Sequence, residues 1–108
     1  MKLVVFGPGR RVGVVRGDDA IDASLATAKY LHERKREPSA LTIAEALVPS
    51  GLENFIEGGD RSLDQAREAV DYLFGAAADR QGLGGAPLVH RMSDVQLWAP
   101  RTTRARVA

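Results

Sequence analysis

The stretch Lys2–Ser24, KLVVFGPGRRVGVVRGDDAIDAS, constrains the chain most, because short β-branched runs alternate there with turn chemistry. Val4 and Val5, then Val12, Val14 and Val15, then Ile21 have the composition that suits a pleated, half-buried surface. Gly7-Pro8-Gly9 and Gly17-Asp18 separate the runs. Glycine reaches positive φ without steric cost, proline fixes its own φ, and Gly17 suits the first central position of a tight hairpin. The stretch therefore predicts an antiparallel meander over about Lys2–Phe6, Arg10–Arg16 and Ala20–Asp22. So small a sheet is not stable until something covers one face. Helical patterns downstream supply the cover, so the expected fold is α+β: a small antiparallel sheet covered by several helices in a single domain.

A chain of 108 residues fits one domain and buries roughly 65% of the surface its unfolded form exposes. The formal net charge of +1 leaves no global field to favour nucleic acid or acidic partners. The chain has no cysteine, so thiol catalysis, thiolate metal ligation and disulfides are all excluded, in keeping with a cytoplasmic setting. Met1 leads directly into a strand pattern and no signal peptide is expected. No apolar window is long enough to span a membrane, and none is expected as a partner.

Asp22 or Ser24 caps a first predicted helix that runs to about Arg36, with Leu25, Ala28, Leu31 and Tyr30 inward and His32 to Arg36 solvated. Pro38 ends it. Ser39 or Thr42 opens a second, where Thr42 and Glu45 have capping-box spacing and Ile43, Ala46 and Leu47 form the apolar face. Leu52–Glu57 adds a turn with Phe55 and Ile56 buried, stopped by Gly58-Gly59. Ser62 and Gln65 repeat the capping-box spacing and open the strongest helix, with Leu63, Ala66, Val70, Leu73, Phe74 and Ala77 as its buried stripe. Gln81–Gly85 is a loop, and Leu88–His90 and Val95–Trp98 are short extended pieces.

No catalytic constellation emerges. Gly7-Pro8-Gly9-Arg10-Arg11-Val12-Gly13 has GxGxxxG spacing, and a strand rather than a helix follows it, so no helix N-terminus is present for a pyrophosphate. Arg16-Gly17-Asp18 spells an adhesion tripeptide but sits where a hairpin turns. His32 and His90 are far apart and carry no ligand motif, and Ser24, Ser39 and Ser62 are explained as caps. Arg101, Arg104 and Arg106 give a weak phosphate affinity at best, so no nucleic-acid partner is expected. No residue is assigned a catalytic, cofactor or metal role.

The order of features resembles the N-terminal domain of the fumarylacetoacetate hydrolase family. The segments that carry the resemblance are MKLVVF (Met1–Phe6), RRVGVVRGDDAID (Arg10–Asp22), ALVPSGLENFIEGG (Ala46–Gly59) and PLVHRMSDVQLWAP (Pro87–Pro100). Val95–Pro100 matches the first half of the family's junction with its catalytic domain; Arg101–Val107 stands where the family has a proline-rich continuation. The resemblance implies a division into residues 1–98 as the N-terminal domain and 99–108 as a linker to a catalytic domain. It also implies a parent enzyme that cleaves carbon–carbon bonds of acylpyruvate or diketo-acid substrates, or decarboxylates or isomerises related acids. Mg2+ or Mn2+ would be held in the catalytic domain, and the assembly would be a homodimer. The family's metal ligands and catalytic residues have no counterpart in this chain, which by itself is expected to be inactive. Two alternatives stand beside this one: a free-standing dimerisation module that uses an edge strand near Val95–Trp98, and a small anion-binding protein that uses arginines.

Overall fold

A computed structural model describes residues 2–98. The meander forms as expected: β1 is Leu3–Phe6, β2 is Arg11–Arg16 and β3 is Asp19–Asp22. Gly17 takes φ +61 at the hairpin between β2 and β3, the left-handed conformation for which the tight turn needs glycine. The loop before β2 uses Gly7 at φ +75 and Arg10 at φ +52, and the Arg10 amide closes it on the Gly7 carbonyl at 3.1 Å.

The helices are α1 (Ala23–Lys35), α2 (Ala40–Leu47), α3 (Leu52–Glu57) and α4 (Gly59–Gly75). Two further strands follow, β4 (Val89–Arg91) and β5 (Leu97–Trp98), with short 3-10 turns at Leu83–Gly85 and Met92–Asp94. The order across the sheet is β4-β3-β2-β1-β5, every pair antiparallel. The two extended pieces expected near the end of the chain are thus the two edges of one five-stranded sheet, and the protein is α+β.

Pairing register assigns the faces. Leu3 opposite Val14, Val5 opposite Val12 and Val14 opposite Ile21 share one face. Val12, Val14 and Ile21 from that face join the core with Ala26, Leu31, Phe55, Val70 and Leu73 from the helices.

Helix α1 lies at the centre, between the sheet and α2 and α4. Its N-cap is Asp22, whose carboxylate accepts the Leu25 amide at 3.0 Å. Ser24, the alternative cap, instead donates to Glu45 at 3.3 Å. The helix ends at Arg36 in the left-handed conformation (φ 55), and the Glu37 amide returns to the Leu31 carbonyl at 3.0 Å. The expected stripe on α1 was too narrow. Ala23, Ser24, Ala26, Thr27, Ala28, Lys29, Tyr30 and Leu31 are all buried, whereas Leu25 is only half-buried. Small residues at 23, 24, 26, 27 and 28 let neighbours approach from several sides at once.

Both predicted capping boxes are corrected. Helix α2 starts at Ala40 after Ser39, so Thr42 lies inside it; Glu45 binds the Ser50 amide (2.8 Å) and hydroxyl (3.0 Å). Helix α4 starts at Gly59, because Gly58 and Gly59 (φ +61) turn the chain from α3 directly into it. Ser62 then faces inward, 1% exposed, and donates to the Leu47 carbonyl at 2.8 Å. Ile56 is 44% exposed rather than buried, and Ala46 is exposed while Ala44 faces the core. Each of these short helices has room to bury only one or two side chains, and position in the fold selects which.

Candidate functional site

Pro87–Trp98, the last segment of the resemblance described by the structure, is also the segment most tied to the rest of the sheet. Leu88 is 1% exposed and its carbonyl accepts the Asp22 amide at 2.9 Å. Val89, His90 and Arg91 pair with Ile21, Ala20 and Asp19. The Met92 amide then donates to Asp18 at 2.9 Å, beside the β2–β3 turn, and five residues take the chain to the far edge. There the Gly7 amide donates to Gln96 at 2.8 Å, and Leu97 and Trp98 pair with Phe6 and Val5.

So short a crossing requires a curled sheet, and Phe6 and His90 show the curl. Val15–Ala20–His90 and Phe6–Arg11 lie on the face turned away from the main core. The Phe6 and His90 rings are 5.1 Å apart although β2 and β3 separate their strands. In a flat sheet, strands three places apart lie about 14 Å from one another. Phe6 (4% exposed) and Ala20 (0%) are therefore buried inside the curl. Gly13 makes room: a Cβ there would stand 2.9 Å from Phe6 Cε1. His90 is thus a packing residue in this fold.

Trp98 is held on two sides. Its indole N–H donates to the Gly7 carbonyl at 2.7 Å, and the Arg10 guanidinium lies 3.8 Å from its ring centroid. The glycine-rich loop singled out in the sequence is therefore the seat of Trp98. Leu97 beside it is 48% exposed. Residues 99–108, with Arg101, Arg104, Arg106 and the expected linker, lie outside the described residues.

A second polar cluster was not anticipated from the sequence. Lys29 on α1, its side chain 3% exposed, donates to Glu33 at 3.0 Å and to Asp79 at 2.9 Å. Tyr72 on α4 donates to the other Glu33 oxygen at 2.6 Å. Burial opposes the Lys29 charge, but its two carboxylate bonds outweigh that and hold its pKa above the ordinary lysine value. Burial works likewise against the Glu33 charge, and the Tyr72 and Lys29 bonds overcome it, so Glu33 lies below the usual carboxylate range. Asp79 is lowered chiefly by Lys29, and Tyr72 is raised chiefly by Glu33. Lys29 is therefore a protonated strut between α1 and the segment after α4, and Glu33 is a settled anion. The signal in the sequence was a lysine inside the small, apolar run Leu25–Leu31.

On the opposite side, Arg11 and Asp22 form a bidentate pair, with Nε to Oδ2 at 2.5 Å and Nη2 to Oδ1 at 3.1 Å. The Asp22 bond raises the Arg11 pKa further. Because Asp22 also caps α1, the pair joins β2 to the start of that helix. His32 is an exposed residue of α1, and Arg16-Gly17-Asp18 is the β2–β3 turn. Among the described residues no three of His, Asp and Glu lie together to hold a metal ion. No helix among them is long and apolar enough to cross a membrane.

Comparison with protein-family models, curated proteins and solved structures finds no match.

Proposed function

We propose that this chain is a non-catalytic docking domain of the kind that precedes the catalytic domain in the fumarylacetoacetate hydrolase family. The observation that carries the proposal is the anchoring of Pro87–Trp98. This segment forms both edges of the sheet, and Trp98 is clamped by Gly7 and Arg10 at a fixed point on it. A domain that must present a catalytic partner in one orientation needs such a fixed point. The four segments of the sequence resemblance support it too, since they coincide with β1, with β2–β3, with the α2–α3 region and with β4–β5. In this reading the metal, Mg2+ or Mn2+, and the chemistry on acylpyruvate or diketo-acid substrates belong to the catalytic domain, the assembly is a homodimer, and its setting is cytoplasmic.

The test is to mix the purified chain with a separately expressed catalytic domain of that family. Complex formation is followed by sedimentation, and acylpyruvate cleavage is assayed with Mg2+ or Mn2+. The expected result is no turnover by the chain alone and a complex that Leu97→Asp weakens. Turnover by the chain alone, or no complex with any such domain, would overturn the proposal. A second reading, a self-associating module, draws on β5. That strand is two residues long, stands at the edge of the sheet and exposes Leu97, a position open to strand addition by another copy. A dimer that persists without any catalytic domain and is lost in Leu97→Asp would favour it.

A further inference from the structure

Three arginines converge on one side of α4. Arg16, the last residue of β2, lies with its guanidinium 4.2 Å from the Phe74 ring centroid, and Arg80, just beyond α4, lies 4.3 Å from the same centroid. Arg67, two turns before Phe74 on α4, lines a hollow of about 150 Å3 together with Arg16, Val14, Val15, Val70 and Asp71. The ion pairs among the described residues use Arg11 and Lys29 as their cations, and Arg16, Arg67 and Arg80 take no carboxylate within 4.0 Å. Arg67 and Asp71 are four apart on the helix but in the less favourable order, with the cation nearer the N-terminus, and they do not pair.

An arginine stacked on an aromatic ring has its plane held while the N–H groups at its edge stay free to bind a carboxylate in two-point fashion. Arg16 is in that state, and Arg67 faces the same space. Valines supply the apolar wall, and Asp71 supplies one acceptor that a bare anion would avoid. A ligand that satisfies Arg16, Arg67 and Asp71 together carries a carboxylate for the two arginines and a hydroxyl donor for Asp71. A hollow of this volume, partly open to solvent, has room for about six heavy atoms.

We infer that this hollow binds a small 2-hydroxy acid, with its carboxylate on Arg16 and Arg67 and its hydroxyl donating to Asp71. The inference does not depend on the docking role proposed above. The experiment titrates the isotope-labelled full chain with lactate, propionate and inorganic phosphate at constant ionic strength, following the arginine side-chain N–H resonances. Lactate is expected to saturate in the millimolar range and to bind about tenfold tighter than propionate, the worth of one hydrogen bond to a charged acceptor. Arg67→Ala should weaken lactate about tenfold, and Asp71→Ala, which removes the acceptor, should remove the difference between lactate and propionate. Arg67 and Asp71 are exposed, and unchanged backbone amide spectra verify that both variants fold. Shifts that rise without saturating, saturation by phosphate alone, or lactate binding undiminished in Arg67→Ala would each overturn the inference.

Discussion

The rings of Phe6 and His90 meet at 5.1 Å across two intervening strands, and this contact gives the sheet its second, smaller core. It places Phe6 over Gly13 and folds β4 toward β1, so that one five-residue crossing can reach both edges. The curl and the anchoring of the closing segment are therefore a single feature.

Gly13→Ala should destabilise the protein by about 2 kcal/mol, because the new methyl lies within 3.0 Å of two Phe6 ring atoms and 3.3 Å of the Ile21 carbonyl. Urea unfolding checks it. A change under about 0.5 kcal/mol would mean that Phe6 moves aside freely, against its 4% exposure.

Trp98 is the only tryptophan, so its fluorescence reports the clamp directly. Arg10→Ala should remove the stacked cation, worth about 0.5–1 kcal/mol at a partly exposed site. It should also raise the access of iodide to the indole. Quenching equal to that of the unaltered chain would show that Arg10 does not cover the ring.

Gly58→Ala should destabilise by about 2 kcal/mol, since its Cβ would fall on the Ser62 hydroxyl and break the bond to the Leu47 carbonyl. Ser62→Ala alone should cost about 1–2 kcal/mol by leaving that carbonyl unpaired. Adding Gly58→Ala to Ser62→Ala should then cost much less than Gly58→Ala does in the unaltered chain, and denaturation of the three variants tests this coupling.

The Lys29 cluster sets a pH dependence with two limbs. Glu33 and Asp79 titrate below their ordinary values when folded, so their contribution is complete above about pH 5 and is lost as pH falls through the folded pKa values. Lys29 and Tyr72 titrate above theirs, so their contribution is complete below the unfolded values near 10 and is lost as pH rises through the folded ones. Lys29→Met should reduce both limbs to the part that the Tyr72–Glu33 bond supplies, at a cost near neutrality of about 1 kcal/mol. The cost is small because Glu33 and Asp79 are exposed enough to rehydrate. A stability profile of Lys29→Met as steep as that of the unaltered chain would remove the cluster as its source.

Arg36→Gly should stabilise by about 0.5 kcal/mol, because Arg36 closes α1 in the left-handed region that glycine enters without a Cβ clash. The midpoint of thermal unfolding measures it.

The sequence by itself determined what local chemistry can determine. β-branched runs punctuated by Gly7, Pro8, Gly9 and Gly17 gave the meander, Asp22 supplied the cap of α1, and a three- and four-residue stripe gave α4. Only the tertiary structure decided the rest. Val89–Arg91 and Leu97–Trp98 carry no label for their partners, because strand pairing joins residues far apart in sequence and depends on how the sheet curls. Ser62 and Thr42 had cap spacing, yet the Gly58-Gly59 turn and the position of α2 put both inside helices. Lys29 and Asp79 are fifty residues apart, and Arg16, Arg67 and Arg80 come from three different segments. Charge and spacing along the chain are local properties, whereas the partner a charge finds is settled when helices pack on a sheet. The candidate site is a set of such partnerships, and for that reason reading the sequence alone assigned none of its residues a role.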